Sequence, residues 1–282
     1  MGSRIGLIAG QGRLPVLVAR GMKAAGHEVC AIGLAGQYEP ELPALCDRFR
    51  RVGILRLGQW RRALRRMGAR EAVMVGRVDK ARLMHSPMRF VHAVPDLRTI
   101  RVWYRDLRHD HRSPAVLAAV ARELAAGGVT LIDSTTHIPD QMASAGVMTR
   151  REPGERARAD ADFGWPILRR ALDLHIGQAI AVREKDVIAV EAVEGTDRMI
   201  ERAGELCPRG GWTLLKGAAA DHDRRADVPT VGERTIRRAA EAGCACVAVG
   251  AGEVIIVDKA STLALADELG VAVVGMTRDG GA

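Results

Sequence analysis

Aromatic side chains make up only 3% of the 282 residues, so the chain has little with which to stack on nucleobases and must build its cores from Ala, Val, Leu and Ile. Cysteine is sparse and odd in number. Cys30, Cys46, Cys207, Cys244 and Cys246 form no Cys-x-x-Cys pair and no Cys/His set at zinc spacing, which excludes a sequence-readable zinc site. Cys30, Cys244 and Cys246 lie in or beside apolar runs, as reduced core thiols of a cytosolic protein do. No segment reaches the roughly 18 consecutive apolar residues that a membrane helix needs. Residues 1 to 10 lack the charged n-region, long h-region and cleavage site of a secretory signal. A soluble protein is expected, with membrane contact at its surface at most. Acidic residues are also in deficit: 42 basic against 34 acidic side chains give a net charge of +8. Such a balance favours anionic partners, whether nucleic acid, phosphorylated metabolites or an anionic membrane surface.

What is present is an alternation of short apolar runs and helical patterns. Arg4 to Gly10 reads as a buried strand, Gln11 to Pro15 as a tight turn into a helix that Gly26 stops, and residues 28–34, 51–57 and 71–76 as further strands. Strands alternating with helices imply a mostly parallel, covered sheet. The expected fold class is therefore α/β in two domains, a Rossmann-like parallel-sheet domain over 1–135 and a mixed α/β domain over 164–282. Between them, 136–163 shows no hydrophobic period and is dense in Pro, Gly and charge, the composition of a linker. After it, a helix is expected from Pro166, a strand pair at 179–183 and 187–191, a helix over 196–206, and a strand over 212–216.

Four constellations carry chemical interest. Gly10-Gln11-Gly12 stands at a strand-to-helix turn, where backbone amides can meet a phosphate, yet the full Gly-x-Gly-x-x-Gly fingerprint is absent because Pro15 takes the third position. Glu191, Glu194, Gly195, Thr196 and Asp197 gather two acids, a flexible glycine, a hydroxyl and a third acid, with Thr196 also suited to cap the next helix. Arg108 to Arg112 forms a polar knot around His109, Asp110 and His111. The densest cluster is Asp223-Arg224-Arg225-Ala226-Asp227-Val228-Pro229-Thr230. Its arginines suit forked contacts to phosphate oxygens, its aspartates suit a hard cation, and Pro229 favours an extended chain that sends Asp223, Arg225 and Asp227 to one side. The four arginines of the 59–67 helix read as a solvated face rather than a docking site.

In order along the chain stand Gly-Leu-Ile-Ala-Gly-x-Gly-x-Leu-Pro at 6–15, Ile-Gly-Gln at 176–178, Ala-Val-Glu-Ala-Val-Glu-Gly-Thr-Asp at 189–197 and Asp-x-Arg-x-Asp-x-Pro-Thr-x-Gly at 223–232. This series resembles the LpxI-type UDP-2,3-diacylglucosamine pyrophosphatases of lipid A biosynthesis. The resemblance implies Mg2+-dependent hydrolysis (Mn2+ or Co2+ serving as well) of the diphosphate of UDP-2,3-diacylglucosamine, giving UMP and 2,3-diacylglucosamine 1-phosphate, lipid X. It assigns Asp227, Asp223 and Arg225 to catalysis, with Asp227 and Asp223 on the metal. Substrate contacts fall on Gly10, Gly12, Leu14, Gln178, Glu194, Gly195, Thr196, Asp197, Lys216, Arg224 and Thr230. It places the protein in the cytoplasm, touching the inner membrane peripherally and transiently, with a UDP-linked diacylated glucosamine as partner, no nucleic acid, and a homodimer as a further expected partner. The chain departs from the family where Lys216-Gly217-Ala218 runs into Ala219, Ala220, Asp221 and His222 instead of a second lysine and a glutamine. Two other readings stand beside this one: a non-catalytic nucleotide or lipid sensor on the same scaffold, and a Rossmann oxidoreductase, against which the lack of a ribose-binding acid after the second strand counts.

Overall fold

A computed structural model describes residues 2–78, 94–109, 113–225 and 228–281, the side chains of residues 113 and 114 excepted. The chain folds as two compact units, one of residues 1–138 with 223–227, the other of 139–222 with 228–282.

In the first unit, five strands form an all-parallel sheet: β1 (Arg4–Ala9), β2 (Glu28–Leu34), β3 (Arg48–Val52), β4 (Glu71–Val75) and β5 (Thr130–Leu131), in the order β3-β2-β1-β4-β5. β1 is buried at five of six positions, as a strand covered by helices on both faces must be. The third strand lies earlier than the sequence pattern places it. Its sequence, Arg-Phe-Arg-Arg-Val, is mostly exposed, a charged edge that discourages further pairing, while Ile54 and Leu57 are buried beyond it at the approach to the Leu57–Met67 helix. That helix buries Trp60, Ala63, Leu64 and Met67, while Arg62, Arg65 and Arg66 face outward.

The second unit carries the sheet β6-β13-β11-β9-β7-β8, built from β6 (Gly146–Val147), β7 (Ala179–Arg183), β8 (Asp186–Val190), β9 (Trp212–Lys216), β11 (Cys244–Gly250) and β13 (Ala272–Met276). β9, β11 and β13 run parallel, whereas β7, β8 and β6 run against their neighbours. A small parallel pair, β10 (Thr230–Val231) with β12 (Ile255–Ile256), stands apart from it. Alternate residues of the strands feed two cores. Ala181, Leu214, Val247 and Val273 pack with Ile200 and Ile236; Val182, Leu215, Ala248 and Val274 pack with Trp165 and Leu168 of the Glu155–Asp173 helix.

That helix corrects the reading of 136–163 as a linker. Residues 155–163 are its first turns and Gly146–Val147 is an edge strand of the sheet. The helical period is written in Ala157, Asp160, Ala161 and Gly164, small or polar residues that a search for large apolar ones passes over. Gly164 is required because a Cβ there would stand 2.8 Å from Val182 Cγ2. Pro166 does not start the helix but lies inside it, on its exposed side, where solvent can serve the carbonyl left without a donor. Cys30, Cys244 and Cys246 are buried core thiols, all five cysteines are free, and burial pushes the Cys244 thiol up to about 12.

Packing in the first unit also sets a pH dependence. His137 Nε2 is buried with no hydrogen-bond partner, and the ring stands edge-on to His27 at 5.1 Å between centroids. Burial first, and the nearby His27 second, lower the His137 pKa, with Glu71 opposing. A depressed imidazole pKa means that the unfolded chain binds the proton more readily. Its contribution is therefore complete above the unfolded value near 6.5 and is lost as pH falls toward and through the lower folded value. Urea unfolding of His137→Phe between pH 7.5 and 5.5 should show a shallower acid-side loss of stability than the parent chain. Equal slopes would refute this origin.

Candidate active site

The Asp223–Arg225 segment is bound into the first unit by residues that follow β5. Ser134 donates to the Arg224 carbonyl from both its amide, at 3.0 Å, and its hydroxyl, at 2.8 Å. Asp133 accepts Arg224 Nε at 3.0 Å through Oδ2 and the Thr135 amide and hydroxyl at 2.8 and 2.7 Å through Oδ1. The Thr135 hydroxyl in turn accepts Arg224 Nη2 at 2.8 Å. With Ser134 and Thr135 almost fully buried, one guanidinium is fixed by a preformed set of oxygens. Charge-assisted contacts of this kind are the stronger class of hydrogen bond.

Arg225 is held differently. Asp223 accepts its Nε at 2.8 Å and its amide at 3.1 Å through Oδ1, and its Nη2 at 2.6 Å through Oδ2. The carboxylate raises the Arg225 pKa further, so the guanidinium is a permanent cation. The extended segment expected from Pro229 does not hold at this end: Arg224 and Arg225 lie in a turn, and Asp223 and Arg225 meet because the aspartate bonds the amide two residues on. Asp227, the expected chemical centre, lies outside the described residues, as do Asp110 and His111 of the polar knot. Among the described residues no group of three His, Cys, Asp or Glu side chains gathers as a metal site.

Sheet register in the second unit brings another set together. Ala179 pairs with Lys216 on one side and accepts the Glu191 amide at 2.9 Å on the other, which puts Lys216, Ala179 and Glu191 on one face at the ends of β9, β7 and β8. Lys216 is 6% exposed and donates to Thr196 Oγ1 at 2.8 Å. Thr196 therefore does not cap its helix. The cap position is Gly195, at φ 82°, with no side-chain cap, and the hydroxyl serves the buried ammonium instead. Glu191 is buried and its Oε2 has no hydrogen-bond partner. The Gln178 carbonyl accepts the Gly217 amide at 3.1 Å. Glu194 turns away to Arg202, at 2.7 Å, and to the Ala192 amide, which with its own amide first hold its pKa down. Asp197 pairs with Arg234 at 2.9 Å, and Thr230 lies in β10 opposite Ile255.

The glycine turn after β1 is explained by packing. A Cβ on Gly10 would stand 2.7 Å from the Arg77 carbonyl, and Gln11 exchanges both backbone bonds with Arg77. Gly12, at φ 99°, donates its amide to Glu39 at 2.9 Å, and Arg13 pairs with Glu41. A carboxylate of the chain thus occupies the amide offered to phosphate. Leu14 opens the helix behind it.

Sequence reasoning missed Asp133, Ser134 and Thr135, although a polar run just past a parallel strand is where such sheets gather ligands. It missed also Glu253, which accepts Arg169 Nη1 at 2.8 Å and the Ala218 amide at 3.2 Å. Ala219, at one of the departures noted in the sequence, packs in the core with Leu168 and Leu215.

A two-domain α/β protein with arginine and carboxylate pairs at one sheet edge and a buried lysine at another strand end has the parts for handling a phosphoric anhydride. The family model of the LpxI N-terminal domain matches residues 4–141 and that of the LpxI C-terminal domain matches 144–274. The chain belongs to the LpxI family. The UDP-2,3-diacylglucosamine pyrophosphatase LpxI of Caulobacter vibrioides is 31% identical over 283 residues, covering 97% of each chain.

Proposed function

We propose that this chain is a UDP-2,3-diacylglucosamine pyrophosphatase of lipid A biosynthesis, and that it releases UMP and lipid X. The observation that carries the reading is the match of both LpxI domains, in order, over nearly the whole chain. On this reading Arg225 clamps the diphosphate, Arg224 is set in place by Asp133 and Thr135, and Lys216 meets the substrate's anionic groups beside Thr196. Further substrate contacts are proposed at Gly10, Leu14, Gln178, Gly195 and Thr230; to join them Gly12 would have to release Glu39, Glu194 would have to release Arg202 and Asp197 would have to release Arg234.

Asp223 and Asp227 would hold Mg2+, Mn2+ or Co2+. Carboxylate oxygens fit a hard cation, and the Asp223 oxygens, both bonded to Arg225 in this structure, would have to be released by it to take one. Bound there, the cation would neutralise charge on the diphosphate and lower the pKa of a water. Asp227 would take the proton of the water that attacks the phosphorus nearer the sugar, the bond from that phosphorus to the bridging oxygen would break and UMP would leave with that oxygen, while Arg225 would stabilise the charge that builds on the phosphoryl oxygens. Among the described residues no helix is long and apolar enough to cross a membrane. On the same reading the enzyme works in the cytoplasm and meets the inner membrane from its surface.

The clamp is tested by substitution. Because a forked guanidinium is not replaced by a point charge, Arg225→Lys should lose on the order of a hundredfold in kcat/KM, the scale of one transition-state donor. The assay is UMP release from UDP-2,3-diacylglucosamine with Mg2+. Retention of half the parent activity in Arg225→Lys would remove Arg225 from the role.

A further inference from the structure

The Leu97–Val102 helix continues through a π-helical turn over Trp103–Leu107. It buries Val102 and Leu107 and sends its other large apolar side chains outward: Leu97 is 85% exposed, Tyr104 69%, Trp103 52% and Ile100 48%. Leu97, Ile100 and Tyr104 stand at i, i+3 and i+7, one stripe of the helix. In a chain with so few aromatics the placement is unusual, because the other three tryptophans, Trp60, Trp165 and Trp212, are no more than 6% exposed.

The face is fixed rather than loose. Asp96 accepts the Thr99 amide at 2.9 Å, capping its own helix, and the Gly58 amide at 2.8 Å, capping the Leu57–Met67 helix. Thr99 Oγ1 accepts the Leu57 amide at 3.0 Å. Basic side chains border the stripe. Arg101 is exposed, Arg105 is exposed but paired with Asp106 at 2.7 Å, and the Arg108 guanidinium lies 5.3 Å over the Tyr104 ring. Aliphatic and amphipathic aromatic side chains between arginines match the boundary between acyl chains and anionic headgroups.

We propose that this helix face is a membrane-docking surface, which seats Leu97, Ile100, Trp103 and Tyr104 at the headgroup level of an anionic bilayer. Charge complementarity selects the lipid: the arginines gain from phosphatidylglycerol what a zwitterionic surface does not give, and salt should weaken the contact. The proposal rests on the reading that the enzyme meets the membrane from its surface and names the face that does so; because the bilayers contain no nucleotide, its failure would leave the hydrolytic reading standing.

The test is cosedimentation of the full chain with phosphatidylglycerol/phosphatidylcholine vesicles at low and high salt, read together with tryptophan emission. Binding at low salt should come with a shift of emission to shorter wavelength. Trp103→Phe should remove the shift while retaining sedimentation, because the other tryptophans are already buried. Ile100→Ser/Tyr104→Ser, both at exposed positions and checked by melting temperature, should weaken partitioning on the order of tenfold, and Arg101→Glu should weaken it only on anionic vesicles. The idea fails if the chain stays in the supernatant at low salt, or if the double variant sediments as well as the parent. It fails equally if the face proves to pair two copies of the chain, seen as a dimer in the absence of lipid that the double variant abolishes.

Discussion

Asp227→Ala will release UMP from UDP-2,3-diacylglucosamine at least a hundredfold more slowly than the parent chain, with its affinity for the substrate nearly intact. Asp227 stands directly before Val228-Pro229-Thr230, at the position to which the proposed reading gives the metal and the attacking water. On the proposed reading its work is confined to the metal and the attacking water, and both matter more in the transition state than in the bound ground state. Loss of one such group costs about 3 to 4 kcal/mol of barrier stabilisation, a factor of several hundred. Asn at the same position keeps an oxygen donor but neither the charge nor the basicity, so Asp227→Asn should fall with Ala. Steady-state rates paired with equilibrium binding of the substrate separate the two effects. A variant whose loss lies wholly in binding would show that Asp227 holds substrate and performs no chemistry.

Gly177→Ala should destabilise the second unit by about 3 kcal/mol. The added Cβ would stand 2.0 Å from the Glu191 carbonyl oxygen and 2.7 Å from its carbon, and neither is the movable end of a side chain. One strand must give way. Displacing Glu191 breaks its bond to Ala179 and shifts the start of the 191–195 loop that leads into Thr196. Thermal unfolding should therefore drop by roughly 10 °C for a unit of this size, and the activity left at low temperature should fall as well. An unchanged melting temperature would mean that the approach relaxes at no cost and that the glycine has another purpose.

The Ile-Gly-Gln motif shows what the sequence made legible and what it did not. Gly177 could be recognised as part of a family pattern, but its cause, a carbonyl from a strand end fourteen residues on, is a tertiary fact. The central strands were readable because each is a short apolar run, buried on both faces. β3 was misplaced because an edge strand of three arginines has no such signature. The Glu155–Asp173 helix was half lost because its core-facing side is written in alanine, glycine and one aspartate, whose burial depends on how closely the helix lies on the sheet. In the candidate site, Arg225 and Asp223 were visible as a pair by their nearness in sequence. The clasp on Arg224 was not, since Asp133 and Thr135 are separated from it by about ninety residues, and no local pattern links them.

That clasp has a consequence for the order in which the protein is made. The first 138 residues leave the ribosome with Ser134 and Asp133 ready, but the segment that satisfies them, residues 223–227, is translated only after most of the second unit. The earlier half therefore waits, with a buried hydroxyl and a carboxylate in want of their arginine, until the later half has largely appeared. Its last hydrogen bonds close late, so the groups proposed for catalysis are assembled only in a chain that is nearly whole.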